Sequence, residues 1–139
     1  LIKNSTGASI SYPSNSVLKE FENVVENYSD KVCAIDEENT ISYKEVNIRS
    51  NKLARYFIQK GIKVEDPIAV MLPKSVDTLI CLLGIMKAGA VYLPIDSNYP
   101  NERINYMIDD SSVKFVITEK ESRSDNEVKY LNVLELFNK

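Results

Sequence analysis

Met86-Lys87-Ala88-Gly89-Ala90-Val91-Tyr92-Leu93-Pro94-Ile95-Asp96 joins an apolar helix to a short strand, and its reading decides the fold. Just before and within it, Leu79, Ile80, Leu82, Leu83, Ile85 and Met86 place apolar side chains nearly all round a helix over residues 76–87. Such a helix must be covered on most sides. Gly89 ends it, because a residue in the left-handed region commonly closes a helix and glycine enters that region without a Cβ clash. Val91, Tyr92 and Leu93 then supply a strand of β-formers over residues 90–93, and Pro94 closes the strand where no further ladder donor is needed.

Working outward, Asp66-Pro67 introduces an apolar strand over residues 68–72, ahead of the helix. Beyond the strand at 90–93, the pattern predicts a helix over 101–110, a strand over 114–118, a charged loop over 119–126 and a further strand over 128–131. Short apolar strands alternating with helices imply an α/β fold, with an open, mostly parallel sheet flanked by helices and joined by right-handed crossovers. Towards the N-terminus, Ser42-Tyr43-Lys44-Glu45 has the form of a capping box, the Ser42 hydroxyl accepting from the Glu45 amide and the Glu45 carboxylate reaching back to the Ser42 amide. The helix it starts presents Val46, Ser50, Leu53, Ala54 and Phe57 inward and ends at Lys60-Gly61. Residues 32–35 and 40–42 read as a small hairpin around the polar turn 36–39. A first helix carries Val17, Leu18, Phe21, Val24, Val25 and Tyr28 at helical spacing, capped by Asn15 or Ser16. Residues 1–15 are polar and aperiodic and read as a linker, so the domain is expected over 16–139.

The 139 residues carry 17 basic and 20 acidic side chains, a formal net charge of −3 that gives no reason to expect nucleic acid or an anionic membrane as partner. No apolar run reaches the roughly 18 residues of a membrane-spanning helix. The chain opens on Leu1 rather than Met and has no charged start followed by an apolar block. A soluble, cytoplasmic piece of something longer is the expectation. There is no histidine, which removes imidazole as general base or metal ligand within this chain. Cys33 and Cys81 lie in separate apolar runs and read as core residues, not as a disulfide or a nucleophile.

In a parallel sheet the loops at the carboxyl ends of the strands, after Leu72, Leu93 and Thr118, are where a ligand would gather. Pro73-Lys74-Ser75 opens a helix, so Lys74 and free amides can meet an anion, yet no glycine-rich phosphate loop precedes them and Ser75 also reads as an ordinary N-cap. Asp96 is either a lone acid at a strand end or a brace for the turn before Asn98-Tyr99-Pro100. Asp109 and Asp110 are adjacent at a helix end, point apart and read as solvated. Tyr92, Tyr99 and Tyr106 suit an aromatic surface or amphipathic packing equally. Nothing composes a nucleophile, a base and an orienting group, so no catalytic, substrate-binding, cofactor-binding or metal-ligating residue is assigned.

Taken in order, Ile41-Ser42-Tyr43-Lys44-Glu45-Val46, the segment 70–96, and Tyr99-Pro100-Asn101-Glu102-Arg103-Ile104 resemble the opening of the adenylation domains of nonribosomal peptide synthetases, members of the adenylate-forming (AMP-binding) superfamily. The first block is similar to that family's earliest core motif, (Thr/Ser)-Tyr-x-Glu-Leu, with Val46 in place of Leu. The block Lys87 to Asp96 is similar to the second, with Val91 where a small residue is commoner and Leu93 where Val is common. The likeness runs over about residues 12–118.

The resemblance implies an amino-acid-activating ligase that makes an aminoacyl adenylate from ATP with magnesium and passes the acyl group to the phosphopantetheine thiol of a carrier domain. The implied partners are the rest of the adenylation domain and the carrier and condensation domains of the parent. The family's phosphate loop, its substrate-amine and ribose-binding aspartates and its C-terminal lysine have no counterpart here. The piece is therefore expected to be inactive alone, to bind no cofactor, and to self-associate through an exposed apolar edge or face. A free-standing acyl or aryl acid ligase, and a non-catalytic α/β interaction module, are the competing readings.

Overall fold

A computed structural model describes residues 14–28, 30–35 and 40–138. Helix α1 spans Ser14–Tyr28, strands β1 (Val32–Ile35) and β2 (Thr40–Ser42) form an antiparallel hairpin, and α2 runs over Tyr43–Gln59. There follow β3 (Pro67–Met71), α3 (Val76–Lys87), β4 (Val91–Pro94), α4 (Asn101–Ser111), β5 (Phe115–Thr118), β6 (Arg123–Asp125), β7 (Val128–Asn132) and α5 (Val133–Phe137). The main sheet has the order β4-β3-β5-β7-β6, with β6 alone antiparallel. The α/β architecture, the mostly parallel sheet and the hairpin match expectation. Helix α1 begins two residues before the expected domain start; residues 1–13 of the expected linker and the hairpin turn 36–39 lie outside the described residues.

Alternation along the strands divides the core. Ile68, Val70, Phe115 and Ile117 face α2, α3 and α5, while Ala69, Val116 and Tyr130 face Ile104 and Ile108 of α4. A third cluster, with Ile41, Val46, Val76, Ile80 and Leu83 at its centre, lies where the hairpin and α1 meet α2 and α3. The sheet is thus covered on both faces, as an apolar parallel sheet requires.

Both long helices of the first layer end in the same way. In α3 the Gly89 amide bonds the Met86 carbonyl at 3.0 Å and the Ala90 amide the Ile85 carbonyl at 3.1 Å, with Gly89 at φ +79°. In α2 the Gly61 amide bonds Ile58 and the Ile62 amide bonds Phe57, each at 3.1 Å, with Gly61 at φ +93°. Each is a Schellman motif with its apolar contact in the core.

Ser42 caps α2, its hydroxyl accepting from the Glu45 amide at 3.1 Å. The other half of the expected capping box differs: Glu45 Oε2 is engaged by Arg49 Nε at 3.0 Å, one turn along the exposed face. Strand β3 starts one residue early, at Pro67, and Pro94 is the last residue of β4 rather than the residue beyond it. The loop expected over 119–126 contains β6, hairpinned to β7 through Asn126 and Glu127, whose φ of 50° and 70° suit a two-residue turn of primed type. Asn-Glu lacks the glycine that announces such turns, and all three β6 residues are exposed, so no apolar alternation betrayed the strand.

Helices α2 and α3 meet at Gly84. A Cβ placed there would lie 2.7 Å from Leu53 Cδ2 and 2.9 Å from Leu53 Cβ, which is rooted in the α2 backbone. Gly→Ala inside a helix ordinarily stabilises by about 1 kcal/mol. Gly84→Ala is expected to do the reverse, costing about 1–3 kcal/mol through overpacking, as read by urea denaturation; a variant as stable as the parent would show that the helices slide apart freely.

Candidate functional site

The strand ends are the first place to look. Strand β3 is followed by β4 on one side and flanked by β5 on the other, so the chain reverses direction across the sheet between β3 and β5. At their carboxyl ends a cleft of about 260 Å³ is bordered by Met71, Ser97, Thr118, Lys120, Arg123 and Tyr130. Thr118 Oγ1 accepts from the Lys120 amide at 3.2 Å, and the Arg123 guanidinium lies 3.8 Å over the Tyr130 ring. Of the three expected loops, the one after β5 borders the cleft with Glu119 and Lys120 and the one after β4 with Ser97, while β3 reaches it only through its last residue, Met71. A larger groove of about 780 Å³ lies between the hairpin, α2, the start of α3 and α5.

The residues weighed in the sequence are dispersed. Lys74 is exposed, and Ser75 is the N-cap of α3, accepting from the Thr78 amide at 3.4 Å, while Thr78 Oγ1 donates to the Pro73 carbonyl at 2.7 Å. Asp96 braces its turn, Oδ1 accepting from the Asn98 amide at 2.9 Å and its carbonyl from the Tyr99 amide at 3.1 Å. Asp109 and Asp110 are exposed. Tyr92 packs on the α3 face of the sheet, Tyr99 on the α4 face under Arg103, and Tyr106 points to solvent, so the three make no common surface. Cys81 is fully buried and half-buried Cys33 borders the third cluster; burial raises both thiol pKa values, and Asp77 adds to the effect at Cys81. Both are core cysteines, free as expected. Among the described residues no three Cys, Asp or Glu side chains gather as metal ligands.

Lys87 is the polar side chain that sequence reasoning passed over. In the last turn of α3 a cation suits the helix dipole, and that is all its position announces. In the fold its Nζ donates to Asn47 Oδ1 at 2.8 Å, Ser50 Oγ at 2.8 Å and Asn51 Oδ1 at 2.9 Å, all on α2, and sits 5.3 Å from the centre of the Phe21 ring on α1. The fully buried Ser50 hydroxyl in turn donates a hydrogen bond to the Asn47 carbonyl at 3.2 Å. Three neutral acceptors use all three ammonium donors. Burial lowers the Lys87 pKa from 10.5 to about 8, and the charge of Glu22 on α1 opposes the fall.

The geometry is that of a helix clasp within a scaffold, and comparison with known proteins says which scaffold. A family model described as AMP-binding enzyme matches residues 21–137. The chain belongs to the AMP-binding enzyme family. It is 39% identical over 115 residues to Gramicidin S synthase 2 of Brevibacillus brevis, covering 82% of this chain and 3% of the relative. It is 39% identical over 105 residues to Tyrocidine synthase 1 of Brevibacillus parabrevis, covering 76% of this chain and 10% of the relative. The fold superimposes on the Klebsiella oxytoca NpsA N-terminal subdomain with a TM-score of 0.76 at 23% identity, covering 88% of this chain and 32% of that one. It also superimposes on the O-succinylbenzoate Coenzyme A synthetase MenE of Bacillus subtilis, with a TM-score of 0.75 at 15% identity over 86% of this chain and 32% of that one. The chain thus spans a small part of these two peptide synthases and about a third of these two solved chains. Among the described residues no helix is long and apolar enough to cross a membrane.

Within this AMP-binding scaffold the Lys87 clasp has a measurable sign. Folding lowers its pKa, so between about pH 8 and 10.5 the unfolded chain binds more protons than the folded one. Stability contributed at this site therefore rises with pH across that window and is constant below it. Tyr56, Tyr92 and Cys33, whose pKa values burial raises, act oppositely at high pH, so the comparison must be with a variant. Relative to Lys87→Met, the parent is expected to gain stability between pH 7.5 and 10 in urea melts, both limits being approximate; a gap that stays constant or moves the other way would refute the lowered pKa.

Proposed function

We propose that the chain is the opening part of an amino-acid adenylation domain of a nonribosomal peptide synthetase. The parent would join an amino-acid carboxylate to the α-phosphorus of ATP, releasing pyrophosphate, and then pass the acyl group to the phosphopantetheine thiol of a carrier domain. The observation that carries this reading is the 39% identity, over most of this chain, to synthases of gramicidin S and tyrocidine. The rest of the adenylation domain, a carrier domain and a condensation domain are the proposed partners, and a cytoplasmic setting goes with an enzyme of soluble ATP. The aryl-acid alternative draws on the NpsA likeness, which at 23% identity speaks for the fold alone.

The described residues do not fit a complete active site. Magnesium would offset the charge on the departing pyrophosphate, but Asp96 lies in the loop after β4 and Asp109 and Asp110 are exposed at the end of α4, and none is assigned to it. No side chain here is proposed as catalytic or substrate-binding, and in its own right the chain is proposed to be inactive and to hold no cofactor. Amino-acid-dependent exchange of pyrophosphate into ATP, assayed on this polypeptide with the twenty standard amino acids, is expected to stay at background; exchange driven by any of them would overturn the assignment of the chemistry to the rest of the parent.

A further inference from the structure

Asn132, where β7 runs into α5, bonds in two directions. Toward α5, its Oδ1 accepts from the Leu134 amide at 3.0 Å and the Glu135 amide at 3.1 Å, as an N-cap does. Toward the strand ends, its Nδ2 donates to the Glu119 carbonyl at 3.2 Å and the Lys120 carbonyl at 2.9 Å, and its backbone amide donates to Ser122 Oγ at 2.9 Å. Ser122 Oγ donates in turn to Glu135 Oε1 at 2.7 Å, which ties the same segment to the first turn of α5. Asparagine suits both tasks at once, since its carbonyl oxygen has two lone pairs and its amide nitrogen two donors.

The segment so held is one side of the strand-end cleft. Glu119 and Lys120 border the cleft, Arg123 continues that side at the start of β6, and Thr118 and Tyr130 are its buried lining. Residues 119–122 are all exposed and include no apolar side chain to anchor them in the core. Their fastening is polar, with the Lys120 amide on Thr118 Oγ1 at 3.2 Å at one end and the Asn132 contacts beyond it. Both neighbours are fixed, β5 by burial of all four residues and β6 by pairing with β7. We propose that residues 119–122 are a movable wall of the cleft, latched by the side-chain amide of Asn132, and that releasing this latch opens the cleft while α5 stays capped. A short exposed segment between two fixed strands opens at a free energy well below that of global unfolding. A molecule entering at the strand ends displaces this wall at the expense of the two Nδ2 bonds, with the sheet left intact.

Asn132→Asp separates the two tasks. A carboxylate still accepts from the Leu134 and Glu135 amides and suits a helix N-terminus, but it has no donor for the Glu119 and Lys120 carbonyls and repels them. Asn132→Ser does the same without added charge, serine being a good N-cap. Amide hydrogen exchange resolved by NMR on this chain reads both sides. In each variant the Lys120 amide is expected to exchange faster than in the unsubstituted chain by about tenfold or more, the scale of two ordinary hydrogen bonds lost. The Leu134 and Glu135 amides are expected to keep their protection, as is the amide of Ile117 in buried β5, which reports global stability. A Lys120 amide unchanged in the Asn132→Ser variant would overturn the latch. Protection lost at Leu134 and Glu135 along with Lys120 would overturn the separate movement of the wall and leave Asn132 as a helix cap alone.

Discussion

Helices α2 and α3 approach so closely that there is no room for a Cβ between Gly84 and Leu53, and the rest of the structure is arranged around that contact. Close approach brings Lys87, one turn past Gly84, within hydrogen-bond reach of Asn47, Ser50 and Asn51. Ser50 and Asn51 follow Asn47 by three and four residues, which puts the three acceptors on one side of α2, and Ser50 lies one turn before Leu53. A steric constraint and a polar clasp therefore act on the same helix pair and fix its register. The clasp extends to α1, whose Phe21 ring covers the ammonium and packs near Tyr43 at 6.3 Å between centroids. Helix α1 has no other anchor of comparable polarity among its described residues.

From this pair the chain is delivered into the sheet by two matching turns. The Schellman motifs at Gly61 and Gly89 reverse the backbone within a few residues and set Ile62 and Ala90 into the same cluster as Phe57 and Ile85. The Glu65 amide then bonds the Gly89 carbonyl at 2.7 Å, and the Val91 amide bonds the Asp66 carbonyl at 2.8 Å. The exits of both helices are thereby tied together, which starts β3 and β4 side by side with Pro67 opposite Val91.

The parts of the fold legible in the sequence are those where a local pattern and the tertiary demand coincide. The all-round apolar run of α3, the cap at Ser42 and the glycines at 61 and 89 announce themselves because each satisfies its neighbours along the chain. Strand β6 did not, being exposed on every residue and short, with its partner supplied only by the sheet edge. Helix α5 is five residues long, too short for a periodic signal, and is held by Asn132 Oδ1 accepting from the Leu134 and Glu135 amides at 3.0 and 3.1 Å. Lys87 was visible as part of a family block, but its partners lie 36 to 40 residues away on α2, a separation that no local reading spans. The two cavities were illegible for the same reason, since each is walled by elements far apart in the chain.

The block that identifies the family acquires a physical account residue by residue. Lys87 clasps α2, Gly89 takes the left-handed turn, and the Ala90 amide is consumed by Ile85. The Val91 amide bonds the carbonyl of Asp66, just before β3, and the Ile95 amide that of Val70 on β3, so by the two-residue period of a strand the backbone N positions of Tyr92 and Pro94 point outward from the sheet edge. Proline has no N–H, and Tyr92 is then the only residue of β4 that offers an outward donor. An edge strand with one free donor is a poor template for strand addition. The opposite edge is β6, with Arg123 and Asp125 in its three residues, and charge discourages pairing there. Both borders of the sheet are therefore blunted, one by proline and one by charge.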